Sequence, residues 1–219
     1  LATEIFNNFI FIKKGRTIPE TLELFQNEEE LEATDAPTIP CYPEKNNNNN
    51  AQIKQKDLYG TKWNATKQLK YVTNEVVIIG KTIIGNTNDD NQFVPTKESS
   101  IKLTNSKNIT INKKKYFLRS IICHGGSTSG GHYIAIVKYG NDWYRVSDSS
   151  VNQVNFNDLI EESKKETIYP YGFIYTNNDK TNEGVPIGIN NPSQLCYLNS
   201  TMQALLALGD NFWNSYFAD

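Results

Sequence analysis

An α+β fold with one antiparallel sheet is predicted by three observations. Between Tyr116 and Val146 three β-rich runs are separated by a glycine-rich stretch and by Gly140-Asn-Asp142, which is the pattern of an antiparallel meander. Helical periodicity appears on both sides of the β-rich middle, first after Thr17 and again after Cys196. The 219 residues suffice for one domain or for two small lobes that share a cleft, and no internal repeat is present.

Composition narrows the function classes. The formal net charge is -2, with acids and bases interspersed, so there is no electrostatic reason to expect nucleic acid or an anionic membrane as partner. The longest apolar runs, such as Val76-Val-Ile-Ile79, are strand-sized and too short to span a bilayer. No signal peptide or other targeting signal is visible. The three cysteines, Cys41, Cys123 and Cys196, form no C-x-x-C pair, which argues against a zinc ribbon or a disulfide scaffold and for a reducing, intracellular compartment. The single methionine is Met202, so the chain reads as a domain cut from something larger.

Taken in order, residues 1–16 carry Phe6, Phe9 and Phe11 among polar residues and fit helix or extended chain equally. Thr17-Ile-Pro-Glu20 is a capping-box pattern with proline in the first turn, and Ile18, Leu22 and Phe25 share one face, which predicts a helix to about Leu31. Its acidic run Glu28–Glu30 reads as a solvated face rather than a contact for a basic tail. Residues 32–66, with Pro37, Pro40, Pro43 and an asparagine tract, read as loop or disorder. From Leu69 the texture turns to β: Lys70–Thr73, Glu75–Ile79 and Lys81–Ile84 are strand candidates, bounded by Gly80, Gly85 and an Asn/Asp turn at 86–91. Ile101–Leu103 and Ile109–Ile111 follow.

Tyr116–Cys123 is the first strand of the meander. Ser127–Gly131 is a glycine-rich loop, His132–Lys138 the second strand and Trp143–Val146 the third. A strand runs out and its neighbour returns, so Asp148 comes back to the end where His132 begins. Residues 156–165 predict a short amphipathic helix with Phe156, Leu159 and Ile160 inward and a Glu161–Lys165 pair outside. Tyr169–Tyr175 reads as the last strand, and 177–183 as a polar linker. Beyond Cys196, the residues Leu198, Met202, Leu205, Leu206 and Leu208 recur at helical spacing, which puts the thiol in the first turn of a helix and those side chains in a core.

Cys196 at a helix start, His132 after a glycine-rich loop and an acid at the end of the adjoining strand make a nucleophile–base–orienter set. The helix terminus favours a thiolate by about 0.3–1 kcal/mol. An imidazole takes the thiol proton and returns it to a leaving amine, while the acid holds the ring and stabilises its charged form. Asn191, five residues before Cys196, can offer a side-chain N–H to an oxyanion beside the backbone N–H of Cys196. Glycine before the histidine lets a substrate backbone approach closely. His124, the other histidine, is the competing base; it precedes the loop and reads as structural or loop-supporting.

Two stretches carry a resemblance. Gly188-Ile-Asn-Asn-Pro-Ser-Gln-Leu-Cys196-Tyr-Leu-Asn-Ser-Thr-Met-Gln203 resembles the cysteine box of the ubiquitin-specific proteases. Tyr116 to His124-Gly, Gly131-His132-Tyr133 and Trp143-Tyr-Arg-Val-Ser147-Asp148 resemble their histidine box, with weaker likeness through Tyr171–Tyr175 and Glu75–Ile79. The resemblance implies a papain-like cysteine protease fold, a helical thumb lobe packed on an antiparallel β-sheet palm. The boxes stand in reverse of the family's order, which implies a circular permutation with the family's ends fused through 177–187. The helical lobe would comprise 181–219 with about 1–60, and the sheet lobe about 61–180, as one catalytic domain.

It further implies a thiol-dependent deubiquitinase that cleaves after the C-terminal Gly-Gly of ubiquitin or a ubiquitin-like modifier, acting as an intracellular monomer, in a host cytoplasm if the source is a virus or pathogen. Tyr133 and the loop 127–131, with Gly130 and Gly131, would line the diglycine channel. The paired C-x-x-C zinc fingers of the family are missing, so no metal and no cofactor are expected. Ser193 and Leu195 replace the glycine and threonine usual before the nucleophile. Ser147 occupies the family's orienter position with Asp148 beside it; alignment favours Ser147, and the better stabilisation of an imidazolium by a carboxylate favours Asp148. A catalytically silent ubiquitin-binding module and a papain-like protease that processes its own polyprotein are the alternatives.

Overall fold

The computed structural model describes residues 2–7, 9–12, 15–26, 29–31, 65–72, 74–81, 85–87, 93–95, 101–125 and 131–217. The expected loop, up to residue 64, the glycine-rich loop up to Gly130, and Cys41 lie outside the described residues. By contact the chain divides into two units, 1–5 with 26–70 and 6–25 with 71–219.

The smaller unit is built on a three-stranded sheet ordered β1 (Ala2–Asn7), β4 (Ala65–Val72) and β3 (Glu29–Leu31). The helix predicted from Thr17 therefore stops short of Leu31: α1 spans Ile18–Gln26, and Glu29 and Glu30 are extended. The cause is a pairing with residues far along the chain, since Glu29 stands opposite Lys67 and Leu31 opposite Ala65, a non-local contact that outweighs helical propensity. Residues 2–7 and 9–12, which fitted helix or strand equally, are strands.

The larger unit is organised on a sheet ordered β12 (Ser150–Val154), β11 (Asp142–Ser147), β10 (His132–Tyr139), β9 (Lys114–Gly125), β13 (Tyr169–Thr176), β5 (Val76–Lys81) and β2 (Phe9–Ile12), with β8 (Asn108–Ile111) paired to the start of β9. β6 (Gly85–Thr87) and β7 (Phe93–Pro95) form a separate two-stranded ribbon. The meander is present in antiparallel register, with Ile134 opposite Cys123 and Ala135 opposite Val146. β13, last in sequence, is central in space, inserted between β9 and β5. β2 runs parallel to its neighbour β5. β5 continues through Gly80 to Lys81, and Ile101–Leu103 contributes one bridge, Thr17 to Lys102, rather than a strand.

Alternation along the strands separates two cores. Ile136, Trp143 and Phe173 point to the face covered by Ile18 and Leu22 of α1 and by Phe156 and Leu159 of α2 (Phe156–Lys164). Ala135, Val137, Val146 and Ile174 point the other way, against α3 (Cys196–Leu206) and the residues after it. The capping box of α1 is present: the Glu20 N–H donates to Thr17 Oγ1 at 3.3 Å, and the Glu20 carboxylate accepts from the Arg16 N–H at 2.9 Å. In α2 the Asn155 side chain caps the first turn, and Glu161 pairs with Lys164 rather than Lys165, because Lys165 is the C-cap.

α3 differs most from expectation. Leu205 and Leu208 pack against the core as expected, but Leu198, Met202 and Leu206 are about half exposed, and the buried stripe is Asn199, Ser200, Gln203 and Ala204, continued by Ala207. The stripe packs on a sheet face of small and β-branched residues, and its own small side chains let the helix sit close. Ser120 Oγ donates to the Ala204 carbonyl at 2.8 Å, and Gln203 Nε2 to the Ile187 carbonyl. Met, Leu and Leu would hold the helix away.

A cavity test follows from the central strand. Ile121 of β9 is wholly buried, so Ile121→Ala should cost about 2–5 kcal/mol in urea unfolding, and a loss under 1 kcal/mol would mean that this face is not close-packed.

Candidate active site

The site grows from the turn between β11 and β12. Ser147 ends β11, Ser150 begins β12, and Asp148 with Ser149 makes a two-residue hairpin in which Asp148 has φ +50°. Aspartate is among the few non-glycine residues that adopt the left-handed region readily. The conformation presents the Asp148 carbonyl to the Ile189 N–H at 2.9 Å. It also turns the carboxylate toward the segment before α3. Asn191 Nδ2 donates to Oδ2 at 3.0 Å and Asn199 Nδ2 to Oδ1 at 2.8 Å. Gly188 lies against this turn: a Cβ there would stand 2.4 Å from the Ser149 carbonyl oxygen.

His132, first residue of β10, is brought to the same place by the register of the meander. Its Nε2 is 2.7 Å from Ser147 Oγ and 3.9 Å from Asp148 Oδ2. Both proposed orienters therefore reach the ring, the hydroxyl in hydrogen-bonding contact and the carboxylate just beyond it. Burial pushes the Asp148 carboxyl up, but the hydrogen bonds from Asn191 and Asn199 and the nearby His132 outweigh it, and the group titrates below the usual aspartate range.

Asn191 is doubly engaged. While its Nδ2 serves Asp148, its Oδ1 accepts the backbone N–H of Leu195 at 2.9 Å and of Ser193 at 3.3 Å. It thereby folds the loop 191–195 into the start of α3, with Gln194 at φ +40°. The amide keeps a second N–H for another acceptor. Cys196 is the first residue of α3, partly buried, on the stripe shared with Asn199 and Gln203. No described residue hydrogen-bonds its thiol.

Beside it stands an aromatic group. The His124 ring lies 4.7 Å from that of Tyr133, and Tyr133 lies 5.8 Å from Tyr171. Burial, then Tyr133, Cys123 and Cys196, raise the Tyr171 hydroxyl above its ordinary range. Burial and the neighbouring His132 lower His124 and favour its neutral form. His124 pairs across the strands with Tyr133 and Tyr169 and packs its ring on Tyr133. Gly131 is described and partly buried; Gly130 lies outside the described residues.

The structure thus gathers His132, Ser147, Asp148 and Asn191 and joins them to the first turn of α3. Sequence reasoning missed Asn199 and Tyr171. Asn199 was recoverable, because three residues after Cys196 is the same helix face; Tyr171 depends on β13 entering the middle of the sheet. Among the described residues, no cluster of three or more His, Cys, Asp or Glu is placed to hold a metal ion, and no helix is long and apolar enough to cross a membrane.

The family model described as ubiquitin carboxyl-terminal hydrolase matches residues 21–175, which include His132, Tyr133, Ser147 and Asp148. The chain is 32% identical over 66 residues to ubiquitin carboxyl-terminal hydrolase 11 of Schizosaccharomyces pombe, covering 30% of this chain and 19% of that protein. It is 50% identical over 45 residues to ubiquitin carboxyl-terminal hydrolase 1 of Saccharomyces cerevisiae, covering 20% and 6%. In fold it is similar to a chain of the SAGA DUB module Ubp8/Sgf11/Sus1/Sgf73 bound to monoubiquitin, with a TM-score of 0.53 at 18% identity over 77% of this chain and 34% of that one. The yeast SAGA DUB module with an altered Sgf73 gives a TM-score of 0.52 at 18% identity, over 76% and 34%. The matches thus span about a third or less of the relatives' lengths.

Removing the Asn199 amide tests the Asp148 cluster. Asn199→Ala should cost about 1.5–3 kcal/mol at neutral pH, the range for a hydrogen bond to a charged group. The folded pKa of Asp148 lies below its unfolded one, so its contribution is present above the ordinary aspartate range and fades as pH falls through the folded value. The difference between wild type and variant in urea unfolding should therefore shrink on acidification; a constant difference would show that Asn199 acts by packing alone.

Proposed function

The chain belongs to the ubiquitin carboxyl-terminal hydrolase family, and from that premise we propose that it is a thiol-dependent deubiquitinase of the ubiquitin-specific protease type with Cys196 as nucleophile. The observation that carries this reading is the cluster of His132, Ser147 and Asp148, bound through Asn191 and Asn199 to the helix that begins with Cys196.

The ring nitrogen His132 Nε2 faces Ser147 and Asp148, which leaves Nδ1 to take the thiol proton. The thiolate attacks the carbonyl carbon of the terminal glycine of ubiquitin or a ubiquitin-like modifier. The second Asn191 N–H and the Cys196 backbone N–H serve the oxyanion, and the imidazolium protonates the departing lysine amine. Water, deprotonated by His132, then hydrolyses the thioester and frees the thiol. Tyr133 and Gly131 line the approach for the diglycine, and Ser147 and Asp148 share the orienting of the ring.

The same reading makes the chain a papain-like, finger-less and circularly permuted member, with α3 on the helical side and the sheet from β12 to β5 as its palm. The matched segment 21–175 carries the histidine box and ends before Cys196, consistent with a nucleophile displaced from the family's usual place. The protein works inside the cell as a monomer, without metal or cofactor. One observation favours a second reading, a ubiquitin-binding module without turnover: the Asn191 amide is already engaged by Asp148.

A ubiquitin C-terminal electrophilic probe separates these. Wild type should gain the mass of one probe and Cys196→Ala none. Absence of an adduct on wild type, or its survival in the variant, removes the protease assignment, and saturable ubiquitin binding without an adduct selects the silent module.

A further inference from the structure

The end of the sheet remote from His132 carries a feature the proposed reaction does not use. β8 pairs with β9 only over residues 114–117, and β10 takes over as partner from Ser120. Where the partner changes, the surface opens into a concavity of about 360 Å³ walled by Lys107, Lys115, Lys138, Phe117, Trp143 and Asp179, among others. A volume of this order accommodates a small molecule. It does not fit the bland account of solvated lysines balanced by surface acids: none of the three ammonium groups has an ion pair among the described residues. Lys107 Nζ instead lies 4.8 Å from the Phe156 ring centroid, and Lys115 Nζ 5.0 Å from that of Phe117.

A fourth cation stands close by. Ser120 pairs with Ile174 and Leu118 with Tyr175, so Arg119 is the extra residue of a β-bulge. It is wholly buried. Its Nη2 donates to the Asn178 carbonyl, while Nε and Nη1 have no partner. Burial, then the charges of Arg119 and Lys107, lower the Lys138 ammonium below its ordinary range in spite of Asp179. Four cations against one carboxylate is a local excess of about three charges in a chain whose formal net charge is -2. Like charges confined beside a partly desolvated wall repel, and a compact anion of charge three or more relieves that repulsion.

We propose that this concavity binds a small, multiply phosphorylated anion, with Lys107, Lys115 and Lys138 as its charge partners. Lysine serves phosphate as a point charge and needs no bidentate geometry. A single carboxylate or sulfate matches the charge excess poorly. Lys138 lies six residues along β10 from His132, about 20 Å at the usual strand rise, so the inference is independent of the protease reading.

Calorimetric titration of the full chain with sodium tripolyphosphate tests it. One saturable site is expected, weakened at least tenfold in Lys107→Ala and in Lys138→Ala, unchanged in Lys165→Ala, whose side chain lies outside the concavity, and weakened by added salt. Thermal melting of each variant checks that it is folded. Absence of saturable binding to wild type, equal affinity in all the variants, or sulfate binding as tightly as tripolyphosphate would overturn the proposal.

Discussion

The site depends on one carboxylate. Asp148 sits at the tip of a hairpin in a left-handed conformation that costs a non-glycine residue on the order of 1–3 kcal/mol. That conformation is held from four directions: Ile189 on its carbonyl, Asn191 and Asn199 on its two oxygens, and the His132 ring facing it. Ile189 and Asn191 lie just before Cys196 and Asn199 just after it. The turn therefore ties a β-hairpin to a helix start more than forty residues away in sequence. Without it His132 would be placed by the meander and Cys196 by α3, with little to align them.

The rest of the larger unit supports that junction. β9 is its spine, paired with β8 at its start, with β10 from Ser120 onward and with β13 on its other edge. The narrow stripe of Asn199, Ser200, Gln203, Ala204 and Ala207 lets α3 approach the sheet closely, and Ser120 and Gln203 pin it along its length. Gly188 permits the chain to pass directly over Ser149. Asn191 then folds the loop before α3, accepting the N–H groups of Ser193 and Leu195. That loop is shaped by a side chain rather than by glycine freedom.

Local patterns were legible where local forces decide. The meander, α2 and the helix start at Cys196 follow from periodicity and turn chemistry, and so does the juxtaposition of His132 with Asp148. What escaped is set by distant partners. β3 lies where helix propensity continues, because its hydrogen bonds go to β4. β12 has the sparse pattern of an edge strand, partly and fully exposed residues in mixture. On α3 hydrophobicity was right only in part: Leu205 and Leu208 pack as their spacing indicates, but Leu198, Met202 and Leu206 face outward, because a helix seated on a tight sheet surface buries small and hydrogen-bonding residues that leucine periodicity does not report. Arg119 was invisible for the same reason, since a bulge in β9 breaks the alternation that would have placed it outside.

If Asp148 is the hub, its loss should reach further than loss of the residue that touches the ring most closely. The direct measurement is kcat/KM for a ubiquitin C-terminal ester with Asp148→Ala and Ser147→Ala, each checked for folding. The account predicts the larger loss in Asp148→Ala, which removes the carboxylate near His132 and frees Asn191 and Asn199 together. Near wild-type turnover in Asp148→Ala with a collapse in Ser147→Ala would contradict it.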